Sequence, residues 1–259
     1  MSEHFDFILS EGHVLVEDAA RALASVQTGM LNRFTCDYIL QAAFLAMTGY
    51  LEQKMKCVCW EVASRDYEFR SRDFDNDKLQ SSYADKRDVL NNLIRSVDRI
   101  GGKFVPNNIG KGDILTRTVD SIKAFRRTSG ILGWGTVQYE EAVKLFDKVS
   151  PGDLLVDDGK GDAKRYDYFW GRGRMTEGML SANRVNLCYL YEEVVYRHRN
   201  RCAHNTLSYQ INHPELGLLS CEEFIYHSYL IRFFILLIID EIIRQVFRQW
   251  VRAAVPLSW

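Results

Sequence analysis

The chain has 259 residues, of which 47% are hydrophobic and 26% are charged, an ordinary globular composition with room for one large domain or two small ones. Four prolines and seventeen glycines are few for an all-β protein, and a net charge of −1 excludes a global basic field that would draw the whole chain onto nucleic acid. Any contact with RNA must therefore come from a local basic patch.

The cysteines and the N-terminal residues indicate an intracellular protein. No two cysteines form a CxxC pair, and no histidines pair with them as metal ligands. Residues 1–6 lack the basic and apolar regions of a secretory signal. We therefore expect a cytoplasmic location, free and mostly buried thiols, and no metal or cofactor. The cysteines stand at positions 36, 57, 59, 188, 202 and 221.

Apolar residues recur at helical spacing along most of the chain. The spacing predicts helices over residues 5–26, 38–64, 77–100, 114–125, 139–149, 182–203 and 221–254. Residues 66–76 are polar and predict a surface connection. The composition shifts at 150–178 to an irregular insertion with basic and aromatic residues. The sum is an all-α bundle that forms a single domain over 1–259.

The last predicted helix contains an almost wholly apolar run over 229–239. This run is shorter than the roughly 20 residues that a membrane span needs, and Arg232 interrupts it. A buried core helix is favoured, and no membrane contact is expected. The alternative is a helix whose excess apolar face packs on another subunit, which favours a homodimer.

Basic residues crowd the end of the helix predicted over 182–203, in the run from Arg197 to His204. RNA carries its own nucleophile, the 2′-OH. Its cleavage needs a group that moves protons near neutral pH, which histidine supplies, and a cation for the phosphorane oxygens, which arginine supplies. The alternative is structural, because the helix dipole alone favours basic residues at a helix C-terminus.

Helical geometry limits which of these residues can act together. At about 100° per residue, Asn200 and His204 share a face and Arg197 nearly joins them, whereas Arg199 and His204 do not face one point. Arg199 can therefore reach the same substrate only if the helix ends or bends before His204, or if a second copy contributes.

The pattern R-N-x-x-x-H, formed by Arg199, Asn200 and His204 before one more long apolar helix, resembles the HEPN superfamily. The resemblance implies a helical bundle and a metal-independent ribonuclease that works as a dimer with its motifs juxtaposed. It implies that His204 is the general acid and base, Arg199 the phosphate binder and Asn200 an orienting group. Arg197 and Arg201 would add charge for substrate binding. Arg197 also fits the motif spacing, so the identity of the motif arginine stays open.

Two further features belong to this resemblance. Glu52 follows an apolar run, as an acidic residue does in some standalone members, and would support the site; a solvated glutamate is the alternative. An antitoxin or a defence-complex protein is an implied partner. However, Thr206 stands where toxins paired with nucleotidyltransferase antitoxins carry tyrosine, which argues against modification at that position.

The insertion places four basic residues among aromatic ones: Lys164, Arg165, Arg172 and Arg174. This combination suits single-stranded RNA, through phosphate attraction and base stacking. The alternative is a loop whose aromatic side chains dock on the bundle while its charges stay in water.

Two functions remain open from the sequence. The first is a metal-independent endoribonuclease, a toxin or antiviral effector that cleaves RNA by attack of the 2′-OH. The second is a non-catalytic helical subunit of a defence complex that binds RNA or docks a partner.

Overall fold

The computed structural model describes residues 3–26, 30–74, 83–105, 109–130, 137–148, 187, 190–204 and 228–254. These residues are mostly helical and contain no β-strand, which confirms the predicted all-α class. The α-helices are α1 (Glu3–Leu9), α2 (His13–Ala24), α3 (Met30–Arg65), α4 (Tyr83–Arg99), α5 (Lys111–Ser129), α6 (Val137–Lys148), α7 (Arg197–His204) and α8 (Tyr229–Ala254). Two π-helices, Phe69–Asp73 and Leu190–Tyr196, lie among them. The insertion predicted at 150–178 lies outside the described residues.

The first predicted helix, over 5–26, is wrong as a single element, because the chain turns between α1 and α2. Buried side chains from distant helices bind the backbone at this turn. Lys54 Nζ donates to the carbonyl of Ser10 at 2.8 Å. The N–H of Gly12 donates to Asp240 Oδ2 at 2.9 Å. These bonds satisfy backbone groups that a continuous helix would have paired internally.

Lys54 on α3 and Asp240 on α8 form an ion pair in the interior. Their side chains are 0% and 4% exposed, and Nζ lies 2.5 Å from Oδ1. Burial lowers the pKa of Lys54 and raises the pKa of Asp240, since it disfavours the charged form of each. Nearby, Arg244 donates to the carbonyl of Leu9 at 3.1 Å and to Glu241 at 2.5 Å. This network joins the α1–α2 turn to the centre of the bundle.

The last helix, α8, is the core of the bundle. Every residue from 230 to 244 is buried, and α8 packs against α3, α4 and α5. The predicted core helix is thus confirmed. The alternative, an apolar face left for another subunit, is wrong because the chain's own helices cover that face. Within the described part of the chain, no helix has the length and apolar content to cross a membrane.

The long helix α3 contacts α1, α2, α4, α7 and α8, which confirms its predicted central place. Its first half is nevertheless not buried all round, because Tyr38, Ala42 and Ala46 are exposed. Four cysteines in the described residues are free and buried, as predicted: Cys36, Cys57, Cys59 and Cys202. Burial raises the pKa of Cys59 to about 12, so this thiol stays protonated at neutral pH.

Candidate functional site

The basic segment forms α7, and the π-helix Leu190–Tyr196 leads directly into it. A regular α-helix was expected throughout, so the π-helix is a correction. A π-helical turn bonds residues five apart and therefore changes the rotation of whatever follows it. Such turns are rare and occur often at functional sites. The direction in which each residue of α7 points thus depends on this turn.

The inner face of α7 is held by His198 and Cys202, both fully buried. The ring of His198 packs on Phe44 of α3 with centroids 5.1 Å apart. Its Nε2 lies 3.2 Å from the hydroxyl of Tyr229 and 3.4 Å from Cys202 Sγ. In the alternative motif, which begins at Arg197, His198 would be the polar residue after the arginine, but the structure buries it on the inner face together with Cys202, four residues later.

Arg232 of α8 holds the turn that precedes α7. It is fully buried, and its Nε donates to the carbonyl of Val194, inside the π-helix, at 3.2 Å. Its guanidinium lies over the rings of Tyr229 and Phe44, at 5.2 and 6.0 Å from their centroids. Burial lowers the pKa of Arg232 to about 10, so it remains charged at neutral pH. The residue that interrupts the apolar run therefore anchors the candidate site.

Replacing Arg232 by methionine is expected to loosen the π-helix and α7, because Val194 loses its buried donor and the rings lose their cation. Hydrogen exchange followed by mass spectrometry should show faster exchange of the amides of 190–204. Arg244→Met is the matched control, since Arg244 is also buried on α8 and donates to a distant carbonyl, that of Leu9. It should affect the α1–α2 turn and spare 190–204. Equal exchange at 190–204 in wild type and Arg232→Met would contradict the anchoring role.

Arg199 lies on the flank of α7 that faces α3. Its Nη2 is 3.3 Å from Glu52 Oε2, and its Nη1 donates to Asn200 Oδ1 at 3.2 Å. The side chain of Arg199 is 28% exposed and that of Glu52 is 18% exposed. Glu52 is therefore an ion-pair partner of Arg199 and not a solvated glutamate. The structure brings Arg199, Asn200 and Glu52 together and leaves part of the guanidinium open to solvent.

The outer face of α7 carries the remaining motif positions. Arg197 is 67% exposed and pairs with Glu193, in the π-helix, at 2.5 Å. The segment is α-helical up to His204, its last described residue, so the helix does not end before it. At about 100° per residue, Arg197, Asn200 and His204 occupy positions on one side of the axis, and Arg199 lies about 140° from His204. From the sequence, Arg199 could reach the same substrate only if the helix ended or bent before His204 or if a second copy contributed, and the described helix does not end before His204.

The other predicted substrate-binding residues do not join this group. Arg201 is half-buried on the flank opposite Arg199, and its Nε is buried without a hydrogen-bond partner among the described residues. The four basic residues of the insertion lie outside the described residues: Lys164, Arg165, Arg172 and Arg174.

No three His, Cys, Asp or Glu side chains in the described ranges are grouped so that they could hold a metal ion. Comparison with known proteins adds no relative: no family model, curated protein or solved structure matches the chain.

Proposed function

We propose that the protein is a metal-independent endoribonuclease with a HEPN-like bundle, acting as a toxin or an antiviral effector. The observation that carries this proposal is the partly exposed Arg199 guanidinium, oriented by Glu52 and Asn200 on the helix that ends at His204. A guanidinium held in advance at the surface suits the charge that develops on a phosphate during cleavage. Its planar fork matches the phosphate oxygens.

The proposed reaction moves two protons and breaks one bond. One imidazole takes the proton of the 2′-OH, and the 2′-oxygen attacks the adjacent phosphorus. The imidazole, now protonated, donates a proton to the departing 5′-oxygen. The products are a 2′,3′-cyclic phosphate and a 5′-hydroxyl end. His204 is the proposed acid and base, because the ordinary pKa of histidine suits proton transfer in both directions near neutral pH.

The register of α7 favours a site shared by two copies. Arg199 and His204 lie about 140° apart around one unbroken helix, so they do not naturally converge on one phosphate. An isologous dimer would place Arg199 of one copy beside His204 of the other, which gives two equivalent sites with one arginine and one histidine each. The dimer is therefore part of the proposal.

A non-catalytic RNA-binding or docking subunit is the second candidate. The observation that favours it is the pairing of both motif arginines, Arg199 with Glu52 and Arg197 with Glu193. Such pairs suit a structural link between helices equally well.

Incubation of the wild-type protein with total RNA in excess EDTA separates the two candidates. The endoribonuclease should produce fragments that end in a 2′,3′-cyclic phosphate, and His204→Ala should abolish them. RNA binding with no cleavage by the wild-type protein, over a range of RNAs and pH values, would favour the non-catalytic subunit.

A further inference from the structure

Two exposed aromatic side chains lie beyond Glu52 along the chain. Trp60 on α3 is 55% exposed and Tyr67, just after α3, is 72% exposed. Large aromatic side chains are rarely this open in a folded protein. The ring of Trp60 is braced by Phe74, with centroids 5.6 Å apart, and Phe74 packs in turn on the buried Phe69 at 6.0 Å. Trp60 is therefore held in place at the surface with most of its ring open to solvent.

The segment that carries these rings, residues 53–72, also carries exposed basic side chains. Besides the buried Lys54, the basic residues from 53 to 72 are Lys56, Arg65, Arg70 and Arg72. None of these four forms an ion pair with a carboxylate whose side chain the structure describes, and the guanidinium of Arg70 lies over the Tyr67 ring at 5.5 Å. Glu61 and Asp66 are buried and pair with His4 and Arg99. Glu68 is thus the single exposed carboxylate among the described side chains of this stretch.

The position of this surface relative to the candidate site follows from helix geometry. Glu52, Lys56 and Trp60 stand four residues apart on α3 and form one ridge of the helix. At a rise of 1.5 Å per residue, Trp60 lies about 12 Å along the axis from Glu52 and Lys56 lies about halfway. Since Glu52 contacts Arg199, the ridge runs directly from the candidate site to the exposed tryptophan.

We propose that this ridge, together with the segment 67–70 that follows α3, is a binding track for single-stranded RNA, with Lys56 and Arg70 on phosphates and Trp60 and Tyr67 stacked on bases. Aromatic faces interleaved with exposed cations are the features that bind single strands, whereas the bases of a duplex are not free to stack on side chains. The identity of the ligand rests on the proposed function. The track would deliver the strand to Arg199 and select single-stranded over duplex substrates.

Equilibrium binding of a non-cleavable strand tests the track apart from catalysis. The probe is a fluorescein-labelled 2′-O-methyl single strand of about 12 nucleotides. Trp60→Ala should raise its Kd about tenfold, whereas Trp60→Phe should stay within about threefold because it keeps a stacking ring. Tyr38→Ala is the matched control, because Tyr38 is an aromatic residue on α3 that is 72% exposed and lies outside the basic stretch. It should change the Kd less than about twofold.

The salt dependence of the binding constant is a second measurement, and it does not depend on Trp60. Each phosphate contact to a single strand contributes about 0.7 to the slope of log K against log salt. Lys56→Met and Arg70→Met should each lower this slope by about that amount. Two results would overturn the track. The first is a wild-type Kd in a Trp60→Ala variant that circular dichroism shows to be folded. The second is an unchanged salt slope in both Lys56→Met and Arg70→Met.

These outcomes separate the track from the proposed nuclease. If the wild type cleaves RNA and the Trp60 and Lys56 variants bind like wild type, the track fails and the nuclease stands. If Trp60→Ala weakens binding but the wild type never cleaves, the nuclease fails and the track stands. If Trp60→Ala instead converts a dimer to a monomer in sedimentation and leaves RNA binding unchanged, the surface is an interface between copies and the track is wrong.

Discussion

Replacing Lys54 by methionine is expected to lower the free energy of unfolding by about 3–5 kcal/mol, the usual cost of removing one member of a buried ion pair. Lys54 is fully buried and Asp240 nearly so, so the carboxylate left behind gains no water in place of the ammonium. The Ser10 carbonyl also loses a donor at 2.8 Å. Urea denaturation followed by far-UV circular dichroism measures the change. A loss below about 1 kcal/mol would contradict a buried pair at this position.

Two further variants show that burial causes the effect. Lys54→Met combined with Asp240→Asn should recover part of the loss, because both charges are gone and an amide oxygen remains to accept the Gly12 N–H. Lys144→Met is the matched control, since Lys144 pairs with Glu141 on the exposed surface of α6. It should leave the unfolding midpoint unchanged.

Replacing Arg199 by alanine is expected to lower kcat/KM for RNA cleavage by about 10²–10³, the usual effect of removing one preorganised donor from a developing oxyanion. Arg199→Lys should not restore activity, since an ammonium lacks the planar fork that contacts Glu52 and Asn200 together. Initial rates on a short single-stranded RNA in EDTA measure the effect. Near wild-type activity in Arg199→Ala would remove this residue from the mechanism.

Arg197→Ala is the matched control and also decides which arginine belongs to the motif. Arg197 lies two residues before Arg199 on the same helix, is largely exposed and pairs with Glu193. We expect a raised KM with kcat within about threefold of wild type, which is the pattern for lost ground-state binding. A loss of kcat in Arg197→Ala, with Arg199→Ala active, would assign the motif to Arg197.

Helix positions could be predicted from the sequence wherever apolar periodicity reflects packing on one core. The helix predicted over 114–125 is α5, Lys111–Ser129, and that over 139–149 is α6, Val137–Lys148. The break at Ser10–Gly12 could not be predicted, because it depends on Lys54 and Asp240. These residues are 44 and 228 positions from their partners in the chain, and a local pattern contains no information about them.

The residues of the candidate site were proposed from the sequence and stay a prediction, whereas the side chains that hold them in place could not be predicted. The basic cluster and the contact of Arg199 with Asn200 follow from adjacency on one helix, and the resemblance singled out Glu52. The π-helix leaves no periodic signal, since its seven residues are apolar enough to continue an α-helix. Arg232 looked like an interruption of an apolar run. A lone buried charge needs a partner, and that requirement was the signal for its contact with Val194.

The most direct test is cleavage of a defined single-stranded RNA in EDTA. Four samples are compared: wild type, Arg199→Ala, His204→Ala and an equimolar mixture of the two variants. We expect 2′,3′-cyclic phosphate ends from wild type and none from either variant alone. The mixture should regain about a quarter of wild-type activity, because half of the dimers are mixed and each holds one complete site. Absence of cleavage by wild type, or undiminished cleavage by either single variant, would contradict a ribonuclease built on α7.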